Sequence, residues 1–186
     1  MQLLTRKFTI EQYHRMGETN IFHPEERLEL IKGKIVPMSP LGLKHMTTVN
    51  RLTNLFYRHL LDKALISVQN SIQLDNYSEP QPDLVVAKLR DDFYATKPIQ
   101  PDDICLLIEV SDSTIKYDQE VKIKIPLYAE NKIQEVWLVN LNDDILEIYT
   151  QPEDNFYQNL QKLNKQKIIS PLSFPDLKIN LSDIFG

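Results

Sequence analysis

Two uninterrupted apolar runs, each carrying one carboxylate, constrain this chain most. Asp83-Leu84-Val85-Val86-Ala87 opens on an acid directly after Pro82, and Ile104-Cys105-Leu106-Leu107-Ile108-Glu109-Val110 carries its acid near the end. A strand with one wet face alternates apolar and polar residues, whereas a run without alternation suits a strand covered on both faces. The pair therefore predicts two central strands, with helices covering the sheet on both sides. A carboxylate flanked by Leu-Leu-Ile and Val is costly to bury alone, so Glu109 calls for a lysine or a metal ion beside it. Asp83 taken by itself reads as a strand start that bonds a turn amide.

The surrounding pattern fills in the domain. Phe8–Met16 reads as a short helix capped by Thr9. Residues 27–36 read as a hairpin turning at Lys32-Gly33. Lys44–Lys63 shows a helical stripe of Val49, Leu52, Leu55, Phe56 and Leu60. A strand is expected over Leu65–Leu74 and a polar loop over Arg90–Asp103. A helix is expected over Asp118–Glu130, with Asp118 as its cap and a kink at Pro126. Strands follow at Glu135–Asn140 and Ile145–Tyr149, with edge strands at Asn159–Leu163 and Ile168–Ile169. A closing helix capped by Ser182 is expected over Ile179–Phe185. The order predicts one α+β (mixed α/β) domain over residues 1–186, with a central mixed β-sheet flanked by helices.

Composition narrows the function classes. The 186 residues suffice for one real core. No apolar run approaches the roughly 20 residues of a membrane helix, and no apolar signal core follows the first residues. The single Cys105 excludes an internal disulfide, fits a reducing cytoplasm and suits a small apolar role in a strand. A net charge of −5 argues against a dedicated nucleic-acid binder, whose footprint is basic. It leaves room for an enzyme that holds phosphate through metal ions and a few local cations. There is no Gly-rich phosphate loop, no Cys/His zinc spacing and no nucleophile elbow.

Carboxylates at neighbouring strand ends suit a hard divalent cation, because Mg²⁺ takes a few carboxylate oxygens and keeps several waters. Asp83 and Glu109 are candidate ligands, and the Val110 carbonyl can add a further oxygen. Pro82-Asp83 with Glu109-Val110-Ser111 resembles the PD-(D/E)XK nuclease superfamily. The ordered set Leu28 to Ile35, Met38-Ser39-Pro40, His45, Gln81 to Val85, Ile108 to Ser111, Tyr117-Asp118, Lys124, Tyr128-Ala129 and Glu135 to Val139 resembles the Uma family of restriction-endonuclease-like proteins, over most of the chain.

The resemblance implies a restriction-endonuclease-like core and a Mg²⁺- or Mn²⁺-dependent endonuclease acting on nucleic acid, DNA in the first place, as a cytoplasmic homodimer. It also implies that Glu29 completes the acidic site, although alternation with Leu28 and Leu30 would by itself turn Glu29 to solvent. Ser111 stands where the superfamily motif carries lysine. The resemblance moves that lysine to the following helix, at Lys124 or Lys122. Lys124 lies four residues before Tyr128 and shares its side of the helix, while Lys122 points roughly 160° away. An exposed helix lysine is the plain alternative for Lys124. His45 is a candidate substrate contact beside a structural role, and Trp137 and Tyr128 read as core. The rival expectation is an inactive nuclease-like domain that binds nucleic acid or protein.

Overall fold

The computed structural model describes residues 5–186. Ahead of the main sheet come α1 (Ile10–Glu18), the hairpin strands β1 (Leu28–Ile31) and β2 (Lys34–Pro37), and α2 (Leu43–Leu60). Thr9 caps α1 through a reciprocal pair with Gln12, in which each side chain accepts from the other residue's backbone amide. The hairpin turns through Lys32 and Gly33, both at positive φ (49° and 78°), the backbone that a tight two-residue turn between twisted strands requires.

The two unalternating runs become neighbouring central strands. The six-stranded sheet runs in the order β3 (Leu65–Val68), β4 (Leu84–Ala87), β5 (Ile104–Ser111), β6 (Glu135–Asn140), β7 (Ile145–Glu153), β8 (Phe156–Asn164). Leu84 lies opposite Ile108, and Val86 opposite Leu106, in antiparallel register. β5 and β6 run parallel, which obliges a crossover. That crossover is the helical segment of α3 (Thr114–Gln119), a π turn (Glu120–Lys124) and α4 (Ile125–Glu130).

The pleat separates two cores. Leu106, Ile108 and Val110 pack with Val49, Leu52, Phe56 and Leu60 of α2 and with Trp137. Leu107 packs with Leu127, Tyr128 and Ala129 of α4. By the period of two, Glu109 and Ser111 share the α4 side with Leu107. Each buried Leu or Phe contributes about 1.5–3 kcal/mol of apolar transfer, so the two cores fix the sheet and with it the strand ends.

The structure corrects several local expectations. The strand expected over Leu65–Leu74 stops at Val68, because Gln69 adopts φ 51° and leaves the extended region. The crossover helix starts at Thr114, where the Ser113 hydroxyl accepts from the Lys116 amide at 3.3 Å. Asp118 is no cap; it lies inside the helix and pairs with Lys122 at 2.6 Å. Pro126 is accommodated through the π turn just ahead of it, where the Ile125 amide reaches back five residues to the Glu120 carbonyl. Proline lacks the amide that would bond the carbonyl four residues earlier, and its ring crowds that carbonyl. A widened turn absorbs both defects. At the tail, Ile179–Asn180 pairs with Ile168–Ile169 as β10 and β9. Helix α5 is therefore confined to Ser182–Phe185, with Ser182 inside it. β8 runs from Phe156 to Asn164, longer than the edge strand expected. Trp137 and Tyr128 are fully buried, as their sequence pattern implied.

Candidate active site

The register that stacks β4 on β5 brings Asp83, one residue before β4, beside the end of β5. The Asp83 Oδ2 accepts from the Val110 amide at 2.9 Å and lies 2.9 Å from His45 Nε2 and 3.3 Å from Lys116 Nζ. Its Oδ1 accepts from the Gln69 side chain at 3.3 Å. Burial alone would raise this carboxyl. The His45 hydrogen bond, the Lys116 charge and the Val110 amide outweigh that and hold it well below the usual carboxylate range. In an extended strand the amide and carbonyl of one residue leave on the same edge. The Val110 carbonyl is thereby directed to the Asp83 side.

Glu109 is buried on the α4 side of the sheet. Its Oε1 accepts from Tyr128 Oη at 2.5 Å and from Lys124 Nζ at 3.2 Å. Burial raises this carboxyl above its ordinary value against the opposing charge of Lys124. The same ammonium stands 3.3 Å from Glu29 Oε2 and 3.7 Å from Glu120 Oε1. Burial disfavours a charged lysine, yet Glu109, Glu120 and Glu29 together hold Lys124 well above its usual value.

Glu29 does not face solvent. It is buried, and its Oε2 accepts from the Gln81 amide at 3.2 Å. The isolated bridge between Leu30 and Glu79 lays β1 against the segment that leads into Asp83. That pairing occupies the free edge of β1, and Lys124 together with the Gln81 amide takes up the Glu29 carboxylate on the face that simple alternation would give to solvent. Lys122 is 69 % exposed on the far side of its helix, so of the two lysines the helix delivers Lys124 to the carboxylates. Ser111 is buried and donates to the Ser113 carbonyl at 3.1 Å, closing the turn into α3.

Two participants escaped the sequence reading. Glu120 is buried, and its carboxyl is pushed well above the usual range by burial and then by the Glu109 charge. Lys116 stands 2.7 Å from His45 Nε2 as well as beside Asp83. His45, expected from the sequence as a candidate substrate contact, has no exposed surface, and its Nδ1 has no hydrogen-bond partner among the described residues. A signal for Lys116 and Glu120 was present. Lys116, Glu120, Lys124 and Tyr128 are spaced by four, and each four-residue step on a regular helix drifts only roughly 40°. The wider π turn offsets part of that drift and keeps all four on the sheet side.

Glu29, Asp83 and Glu120 line one cavity of about 30 Å³ together with Met38, Ser39, Leu41, Lys116, Gln119 and Lys124. That volume holds one water or one ion. Across the whole site four carboxyl groups stand against the ammonium groups of Lys116 and Lys124, and Glu120 Oε2 is buried without a hydrogen-bond partner among the described residues. Among the described residues no three His, Cys, Asp or Glu side chains already surround a metal-sized point. Lys124 takes the central place between three of the carboxylates. The donor chemistry of hard oxygens, carboxyl groups outnumbering ammonium groups and one orphaned carboxylate oxygen suits a hard divalent cation.

A family profile described as "Putative restriction endonuclease", Uma2, matches residues 10–182. The chain belongs to the Uma2 family. Among solved structures, this Uma2 protein is similar to "a putative nuclease belonging to DUF820 from Anabaena variabilis", whose crystal structure extends to 1.96 Å. The two share 15 % identity with a TM-score of 0.71, over 96 % of this chain and 97 % of that one. At that identity the likeness establishes the fold alone, shared over nearly the whole of both chains. No curated protein matches the sequence. Among the described residues of this Uma2 chain no helix is long and apolar enough to cross a membrane.

Proposed function

We propose that this protein is a metal-dependent endonuclease that hydrolyses phosphodiester bonds in DNA. One observation carries the reading: Lys124 and the carboxylates of Glu29 and Glu109, distant in sequence, converge within 3.2–3.3 Å on the side of the sheet that also presents Asp83. A fold needs no such costly assembly for stability, since replacing a buried ion cluster by apolar residues is often neutral or stabilising.

Asp83, Glu109 and the Val110 carbonyl would hold Mg²⁺ or Mn²⁺, with Glu29 completing the acidic side. When bound there, the ion supplies charge neutralisation at the phosphoryl oxygens and an acidified water. The chain's own groups do the rest. His45 fixes the Asp83 carboxylate, leaving its oxygens on the strand-end side. Tyr128 fixes one Glu109 oxygen. Lys124 Nζ, freed from part of its carboxylate load, orients the attacking water and stabilises negative charge gathering on the phosphoryl group. Lys116 provides a second ammonium nearer solvent, with its side chain 15 % exposed.

The protein acts as one nuclease-like domain, and as a homodimer where both DNA strands are cut, because one such site addresses one strand. The lone cysteine supports a cytoplasmic setting. Purified protein should nick or cut plasmid DNA with Mg²⁺ or Mn²⁺ and not with chelator. Asp83→Ala and Lys124→Ala should both abolish cutting while circular dichroism reports the fold. Activity that persists in both variants refutes the proposal. A second reading, an inactive binding module, is favoured by the tight cavity of about 30 Å³, which Met38, Ser39 and Leu41 cover. It predicts DNA retention on a gel without cleavage in any divalent metal.

A further inference from the structure

The reading above leaves Glu120 without a task, yet Glu120 is the least satisfied group in the site. Its Oε1 stands 3.7 Å from Lys124 Nζ. Its Oε2 is buried with no hydrogen-bond partner among the described residues. The residue is 2 % exposed and lines the small cavity with Asp83 and Glu29. A buried polar atom left unpaired costs on the order of 1–3 kcal/mol, so an unpaired carboxylate oxygen beside other acids calls for an occupant.

The local backbone makes this placement specific. Glu120 opens the π turn, and the Ile125 amide closes on its carbonyl. Without the widened turn, the drift of successive four-residue steps would swing Glu120 and Lys116 away from the line set by Lys124 and Tyr128. Isolated π turns recur at functional sites because they aim side chains that a regular helix would misdirect. Neutral partners are scarce in the cavity: apart from Ser39 and Gln119, its walls are apolar or charged. A hydrogen-bonding water could fit by volume. A divalent cation answers the volume, the orphaned oxygen and the surplus of carboxylates together.

We propose that Glu120 is a further ligand of the divalent cation, contributing its free Oε2 from the helix side of the cavity while Asp83 contributes from the strand side. The inference rests on the metal-dependent reading and adds to the superfamily's strand-end acids a ligand carried by the crossover helix. Lys124 then keeps Glu29 and Glu109 as its partners while Glu120 turns to the ion.

Calorimetric titration with Mn²⁺ tests this without any need for cleavage. Three proteins are compared in chelator-treated buffer at pH 7.5: wild type, Glu120→Gln and Asp83→Asn. The wild type should bind Mn²⁺, and Asp83→Asn should lose binding. Glu120→Gln should weaken binding at least tenfold while its circular dichroism spectrum and metal-free melting temperature stay at or above wild type. A melting-temperature rise with Mn²⁺ should be present in the wild type and reduced in Glu120→Gln. Loss of affinity in Asp83→Asn with unchanged affinity in Glu120→Gln overturns the Glu120 assignment alone. Unchanged affinity in Asp83→Asn overturns the strand-end cation site, and no Mn²⁺ binding by the wild type at millimolar metal overturns both. Should Glu120→Gln fold poorly, Glu120→Ala, which only enlarges the cavity, replaces it with the same expected loss.

Discussion

Lys124 carries the electrostatic balance of the buried site, and removing its charge gives the most decisive test. Lys124→Met keeps the aliphatic stem and deletes the ammonium that stands 3.2, 3.3 and 3.7 Å from Glu109, Glu29 and Glu120. Glu109 would retain Tyr128, and Glu29 the Gln81 amide, but Glu120 would lose its one charged partner. Removing one partner of a buried ion pair costs about 3–5 kcal/mol, and three carboxylates on one ammonium place this variant within that range at pH 8 without metal. For a chain of this size, about 2–4 °C of melting temperature accompanies each kcal/mol, so the midpoint should fall by roughly 6–20 °C.

The loss should depend on pH with a definite sign. Burial and mutual repulsion raise the folded-state carboxyls of Glu109 and Glu120, so the folded chain binds protons more readily than the unfolded chain. Stability then falls as pH rises above the ordinary glutamate value of 4.5. The deficit of Lys124→Met should therefore shrink between pH 8 and pH 5.5. Urea titration followed by fluorescence of the single, fully buried Trp137 measures it. Adding Glu120→Gln to Lys124→Met should restore part of the loss. A deficit below about 1 kcal/mol at pH 8, the scale of a surface pair, refutes the account of a buried, lysine-balanced cluster.

Three further outcomes follow from neighbouring features. Asp83 is depressed in the fold, so its contribution is present above the ordinary aspartate value of 3.8 and is lost as pH falls through the folded value. Urea midpoints of Asp83→Asn should lie closer to wild type at pH 2.5 than at pH 6, and equal gaps at both refute this. Gly33→Ala should destabilise by about 1–2 kcal/mol, because φ is +78° and the new Cβ would lie 2.6 Å from the Lys7 Cβ. A neutral result in urea titration would show that the hairpin carrying Glu29 relaxes freely. Burial raises the Cys105 thiol, so at pH 8 it should react with a disulfide reagent several-fold more slowly than free cysteine, and at the free rate in denaturant.

The fold was legible where one period dominates. The continuous runs at 83–87 and 104–110 announced strands covered on both faces, and the stripe of Val49, Leu52, Phe56 and Leu60 announced the helix that covers one of them. The Lys32-Gly33 turn was legible because few residues adopt positive φ in succession. Legibility failed where tertiary contact overrides local pattern. Glu29 alternates as a solvent-facing residue would, but Lys124 from the crossover helix and the Gln81 amide close over that face. Asp118 has the chemistry of a cap, yet Ser113 starts the helix earlier. Glu120 and Lys116 were hidden by that misplaced start, which left them in or before a first turn. The pairing of His45 with Asp83 joins residues 38 apart through folding alone, and no local spacing encodes it.

The substitution at Ser111 bears on what such a site requires. Ser111 and Glu109 share a face of β5, so a lysine at 111 would approach Glu109 along the strand, whereas Lys124 arrives across the core. If the site needs an ammonium near Glu109 and is indifferent to the element that supplies it, the location of the charge should be transferable. Ser111→Lys alone should destabilise, since the residue is fully buried and overpacking costs about 1–3 kcal/mol. Combined with Lys124→Met, which empties the space that the old ammonium filled, the same substitution should instead recover stability relative to Lys124→Met. The gain should be on the order of 1 kcal/mol, because the carboxylate pairing it restores exceeds the packing cost. A double-mutant cycle in urea reads the sign directly. Destabilisations that simply add would show that the crossover helix, and not merely a nearby positive charge, is built into the site.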